Sequence, residues 1–164
     1  MKRERGGFRM LKREQLLEEL VHDSYKDDRK PPEPARCPGC GACWRKGRWT
    51  WDAADPDSHD HLCPACRRIR DDFPAGFVTL AGPFLEEHRE EIQGLVKHCE
   101  SDEKARHPLQ RIMAIKPSRE GLLITTTDVH LARSIAERVH GAYQGELEFS
   151  YNKSDNLLRA SWSR

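Results

Sequence analysis

The chain has 164 residues, with 28 Lys and Arg against 27 Asp and Glu, and 34% of its side chains are charged. A net charge of +1 excludes the strong global field of a general polyanion binder, so any such surface has to be local. No apolar run approaches bilayer length, and the charged start Met1-Lys2-Arg3-Glu4-Arg5 has no apolar segment behind it; a soluble, cytoplasmic protein without membrane contact is expected.

Residues 1–35 form the first expected unit, a basic helical arm and Pro-rich tether. Within the first thirteen residues Lys2, Arg3, Arg5, Arg9, Lys12 and Arg13 face only Glu4, a run that either attracts a polyanion or solubilises the chain. Met10, Leu17 and Val21 share one helical side, with Leu16 and Leu20 beside them, which predicts a short docking helix over Met10 to Val21. The segment from Lys26 to Pro34 combines charge with three prolines and predicts an extended tether. The arm should then move independently, its apolar stripe folding back on the body or meeting a protein partner.

Residues 36–76 form the second unit. Cys37-Pro38-Gly39-Cys40-Gly41 and Cys63-Pro64-Ala65-Cys66 are two knuckles of one form, 22 residues apart. Two residues between paired cysteines turn both sulfurs toward one point, and two such turns close a tetrahedral thiolate shell suited to zinc. In a reducing compartment such pairs read as metal ligands rather than disulfides. A closed shell leaves no place for substrate, so the predicted zinc ribbon uses its metal as a staple. Iron in a rubredoxin-like redox centre is the rival, and Cys43, His59 and His61 offer a different fourth ligand. Gly41 favours Cys40, because glycine suits the tight turn after the second cysteine.

Trp44, Trp49 and Trp51 lie between the knuckles, and Trp49 and Trp51 share one face of a predicted strand. They either roof the metal or serve as stacking platforms. Arg45, Lys46 and Arg48 follow the first knuckle, and Arg67, Arg68 and Arg70 follow the second. Arg45, Arg48, Trp49, Trp51, Arg67 and Arg68 are therefore the candidate RNA-binding set, phosphate contacts beside aromatic surfaces. Solvated charge around the ribbon is the plain alternative.

Residues 77–164 form the third unit, and the fold class expected for the whole chain is α+β. A short strand, Phe77 to Leu80, should lead out of the ribbon. Gly82 and Pro83 open a long helix whose stripe is Leu85, His88, Ile92, Leu95, Val96 and Cys99, stopped by Pro108. Cys99 should be a buried free thiol. Strands from Arg111 to Lys116 and Leu122 to Thr126 flank the turn at Pro117 to Gly121. Thr127 or Asp128 caps a helix carrying Leu131, Ile135, Val139 and Tyr143. The period then changes to two through Leu147, Phe149 and Tyr151, and again through Leu158, Ala160 and Trp162. The order helix, strand, strand, helix, strand, strand predicts a two-layer domain, two helices on a four-stranded sheet whose other face is open.

Catalytic constellations are thin. The chain has no phosphate-binding loop, no Gly-x-Ser-x-Gly and no His-Glu-x-x-His. Thr125-Thr126-Thr127-Asp128 with His130 is explained by a strand end and a helix cap, and His88 and His107 by packing and by a neighbouring proline. A non-enzymatic protein is expected.

From the first knuckle onward the chain resembles a mostly bacterial family of small zinc-ribbon proteins. The resemblance rests on the two knuckles, Gly47-Arg48-Trp49-Thr50-Trp51, Cys66-Arg67-Arg68-Ile69, His107-Pro108-Leu109-Gln110-Arg111-Ile112, Thr125-Thr126-Thr127-Asp128 and His130-Leu131-Ala132. That family is distantly similar to the archaeal and eukaryotic adaptor that binds the large ribosomal subunit and, in eukaryotes, supports its nuclear export. The resemblance implies association with ribosomal RNA or a ribosomal protein, and it carries over metal binding at Cys37, Cys40, Cys63 and Cys66. This chain has one pair of knuckles where the adaptor has more, and no leucine-rich export tail, so export does not carry over. The function expected is a zinc-binding, ribosome-associated adaptor. A protein-protein interaction module, using the N-terminal helix or the sheet face, is the alternative.

Overall fold

The computed structural model describes residues 7–13, 15, 25–27 and 29–164. Strands β1 (Arg9–Leu11), β2 (Ala35–Arg36), β3 (Cys43–Arg45), β4 (Arg48–Thr50) and β5 (His59–Asp60) precede helix α1 (Pro64–Asp71). Strand β6 (Gly76–Ala81) leads to helices α2 (Pro83–Glu87) and α3 (Arg89–Arg106), then β7 (Ile112–Pro117), β8 (Gly121–Thr126), α4 (Val129–Tyr143), β9 (Glu146–Asn152) and β10 (Leu157–Ser163). The class is mixed α+β, as expected. Two sheets result, a six-stranded one in the order β1-β9-β10-β6-β8-β7 and a four-stranded one in the order β4-β3-β2-β5.

The large sheet grows from alternation. Val78 and Leu80 of β6, Leu122 and Ile124 of β8, and Ala160 and Trp162 of β10 are buried, while Thr79, Leu123 and Ser161 between them are not. Period-two patterning thus sends one apolar row per strand to a common face. That face meets α4, which lies against β6, β8, β9 and β10, with α3 packed beside it. The short strand expected to leave the ribbon is instead the sheet's spine: β6 runs parallel to β10 and antiparallel to β8. Its length and alternation are legible locally, but its partners lie about fifty and eighty residues away, and such pairings leave no local mark. With β6 and β1 added, the expected four strands become six.

One long helix from Pro83 is replaced by two. His88 leaves the helical region at φ −122, ψ 24, and its ring stacks on Phe84 with centroids 4.1 Å apart. The break lets Leu85 fill the core on one side while Ile92, Val96 and Cys99 fill it on the other. Asp128, not Thr127, caps α4, its carboxylate accepting from the N–H groups of His130 at 2.8 Å and Leu131 at 3.1 Å. Cys99 is buried, and that burial pushes its thiol up to about 11.

The N-terminal segment is tied down where it is described. Met10 and Leu11, assigned to a docking helix by periodicity, lie in β1, which pairs antiparallel with β9; the rest of that helix, 14 and 16–21, falls outside the described residues. Edge pairing wins because β9 exposes a free ladder of N–H and C=O groups. Arg13 then pairs with Glu137 at 2.9 Å, and Arg133 donates to the carbonyls of Arg13 and Gln15. No helix among the described residues is long and apolar enough to cross a membrane.

Gly76 sets how closely α4 approaches β6. A Cβ there would strike Ala132 Cβ and Thr126 Oγ1. Gly76→Val should therefore destabilise the protein by about 1–3 kcal/mol through overpacking, read by urea denaturation. A change below about 0.5 kcal/mol would contradict the close helix-sheet packing.

Candidate metal centre

Short strands and tight turns position the sulfurs. The first knuckle is closed by hydrogen bonds from Cys37 N to Ala42 O at 2.8 Å and from Gly41 N to Cys37 O at 2.9 Å. Gly41 sits at φ +83, a conformation that suits glycine and few other residues. Gly39 is required for a different reason, since a Cβ there would lie 2.8 Å from Cys66 Sγ; the knuckle backbone passes directly over a sulfur. The second knuckle is the start of α1. Cys63 is its N-cap, Pro64 occupies the first helical turn, and Cys63 Sγ accepts from Cys66 N at 3.4 Å. Between the knuckles Lys46 and Gly47, both at positive φ, make the two-residue turn that a β3–β4 hairpin favours.

Cys37, Cys40, Cys63 and Cys66 bring their sulfurs within 4.8 Å of one another. A tetrahedral ion with bonds of about 2.3 Å spaces its sulfurs about 3.8 Å apart, and Cys40 and Cys63 stand at 3.8 Å. The donor set thus fits a single four-coordinate ion between them. The alternative ligands lie elsewhere. Cys43 is buried and its thiol donates to Gly41 O at 3.6 Å. His59 is exposed, and His61 stacks on Trp49 and faces Asp27 at 3.3 Å.

Charge at the site is balanced from a distant element. Arg111, between α3 and β7, is only 8% exposed, and its guanidinium donates to Cys63 Sγ at 3.2 Å and Cys66 Sγ at 3.3 Å. Cys37 Sγ accepts from Cys63 N at 3.3 Å. Among the thiols, the hydrogen bond from Cys63 holds Cys40 low, at about 4, and raises Cys63; these are two sides of one shared proton. Burial pushes Cys66 up, and the Arg111 hydrogen bond opposes it. Burial works against the charge on Arg111 as well, but the sulfurs outweigh it and its pKa is raised. Arg111 is held in place by Thr127, whose Oγ1 accepts from Arg111 N at 2.9 Å and donates to Leu109 O at 2.6 Å.

Arg111 is the functional residue that spacing arguments missed. It lies 45 residues beyond Cys66, and its one sequence signal is its place in the His107 to Ile112 segment. Thr127 was expected as one of two helix caps; its hydroxyl braces the Leu109–Arg111 loop instead. Thr126 is likewise engaged, donating to Asp128 O at 2.7 Å.

The six residues proposed for RNA contact are dispersed. Arg68 is 1% exposed, donates to Phe73 O and stacks its guanidinium 4.6 Å over the ring of Tyr25; it is a structural cation and offers nothing to an outside phosphate. Trp49 is buried against Cys37, Cys63 and Ala65, the roofing role rather than a platform. Trp51 is 39% exposed, but its Nε1 donates to Lys104 O at 2.7 Å, satisfying a carbonyl of the last turn of α3. Arg67 pairs with Asp27, and Arg45 pairs with Asp55 at 2.9 Å and donates to Ala53 O. Arg48 is exposed. A strand-face argument places Trp49 and Trp51 together; it cannot see that one is consumed by the sulfur cluster and the other by a helix end.

Comparison of the chain with protein-family models, with curated proteins and with solved structures finds no match. The resemblance to the small zinc-ribbon family therefore rests on its motifs alone.

Arg111→Met keeps the unbranched stem of the side chain and removes its charged, hydrogen-bonding head. Loss of such a hydrogen bond to a ligand should weaken metal binding about 10- to 100-fold, read by competition with a chromophoric chelator, with stoichiometry unchanged at saturating metal. Unaltered affinity would show that Arg111 does not compensate the thiolate charge.

Proposed function

We propose that the chain is a non-enzymatic zinc-binding adaptor that associates with ribosomal RNA or the ribosome. The observation that carries the metal half of this reading is the sulfur cluster: four donors within 4.8 Å of one another, with Cys37 and Cys63 fully buried. A shell filled by four thiolates has no open position for substrate. Zinc there supplies a crosslink between the two knuckles and no redox chemistry. Cys37, Cys40, Cys63 and Cys66 hold it, Arg111 offsets its negative shell, and Trp49 and Ala65 screen it from water.

The ribosomal half rests on the sequence motifs of the knuckles and the later domain and on local positive charge. Arg48 is exposed with no acidic partner among the described residues, next to the Trp44 and Trp49 indoles that pack on each other across the hairpin. Charge of that kind binds polyanions with a steep salt dependence.

Tagged full-length protein recovered from native cytosol, with and without nuclease, tests the proposal. The expected result is colourless protein containing one zinc per chain, with ribosomal RNA and large-subunit proteins whose recovery falls after nuclease. A discrete protein partner that survives nuclease, without ribosomal enrichment, would overturn the ribosomal reading in favour of a protein-protein module. A visible iron-sulfur absorption band would overturn zinc.

A further inference from the structure

A cleft of about 830 Å³ lies between the tether, the β3–β4 hairpin and the loop after α3. The volume is that of sites which enclose a small organic ligand, about 300–1,000 Å³, and none of the four clustered cysteines lines it. Lys26, Arg29 and Lys30 of the tether and Arg48 of β4 do. All four are exposed, and among the described residues none has a hydrogen-bonding or acidic partner for its side chain. Among the described residues the two carboxylates of the lining are engaged within the fold: Asp27 by Arg67 and His61, and Asp128 by the first N–H groups of α4. The cleft is thus cationic, and its own acids are turned to other partners.

The same cleft has an apolar lining. Trp44 is half-buried, tilted against Trp49 with ring centroids 5.6 Å apart, and Leu109 and Pro108 stand in the lining with it. From this pairing of cations with an indole we infer that the cleft binds a single-stranded segment of RNA, its phosphates held by Lys26, Arg29, Lys30 and Arg48 and a base laid against Trp44. A duplex hides the faces of its bases in the stack, so only an unpaired strand can use both features. An acidic peptide would use the cations and leave the indole without a role. This inference rests on the RNA-adaptor reading above and gives that reading its site. Because Trp44 and Arg48 come from the cysteine-stapled segment and Leu109 from the chain that carries Arg111, the cleft exists only while the two are seated together.

The test is fluorescence anisotropy of the full chain with a labelled oligouridylate of about ten nucleotides, repeated across salt. Affinity should fall with salt at a slope of about 0.7 per phosphate contacted. Lys30→Glu with Arg48→Glu should weaken binding at least about tenfold and flatten that slope by more than about 1. Trp44→Leu should weaken it at least about fivefold. Arg119→Glu, in the β7–β8 turn at the far end of β7 from Arg111, should change nothing. Metal content and melting profile report folding, and the charge reversals at exposed positions test the cleft even where Trp44→Leu unsettles Trp49. Equal binding by the parent chain and the double charge reversal would overturn the cleft and leave the RNA-adaptor reading standing. So would failure of the parent chain to bind the oligonucleotide while ribosomal RNA is still recovered from cytosol; loss of both removes the adaptor reading too. An acidic peptide bound in the cleft and not displaced by oligouridylate would overturn the RNA assignment.

Discussion

The contact between the Arg111 guanidinium and the sulfurs of Cys63 and Cys66 is the interaction on which the arrangement depends. Four thiolates around a divalent ion would carry a net charge of −2, and the guanidinium of Arg111, a residue only 8% exposed, is costly to bury alone. Each is tolerable because the other is there. The pairing is also directional: Arg111 opens the approach to β7, so it carries the requirements of the sulfur cluster into the six-stranded sheet. Thr127 completes the link from the other side, binding both Arg111 and Leu109 at the point where β8 gives way to α4.

Further contacts make that link a seam. The Trp51 indole closes the last turn of α3, and Leu109 packs against the cluster of Cys37, Trp49 and Cys63. At the other edge Tyr25 covers the buried cation of Arg68 and stacks on Phe73 with centroids 5.8 Å apart. Burial of apolar surface is small in the cysteine segment, whose described core is Cys37, Ala42, Trp49, Cys63 and Ala65 with a few partly buried neighbours. A core of that size needs a crosslink or a neighbour to hold it, and here it has candidates for both.

Much of this was legible in the sequence, for reasons that can be named. The knuckles, the β7–β8 hairpin, α4 with its acidic cap and the paired strands β9 and β10 follow local rules of spacing, turn chemistry and period, and local rules are what a sequence displays. The failures share the opposite cause. The central place of β6 depends on β10, the strand at Met10 and Leu11 depends on an open edge of β9, and the fate of each arginine depends on which partner reaches it first. Arg68 and Arg48 look alike in the sequence, yet one is sealed beneath Tyr25 and the other faces a cleft. Charge near a knuckle says that a cation is present; only the fold says whether it is free. Trp44 shows the converse, an indole without a role in the strand-face argument that the fold sets beside cations with no acidic partner among the described residues.

Hydrogen exchange of the full chain, compared before and after metal removal by a chelator, probes this seam most directly. If the cluster and Arg111 seat the two parts together, chelation should release protection at both knuckles and also through Leu109 to Ile112, while β6, β8 and β10 keep theirs. Unchanged protection in the Leu109 to Ile112 segment, with the knuckles exposed, would contradict the coupling and reduce Arg111 to a bystander of the metal centre.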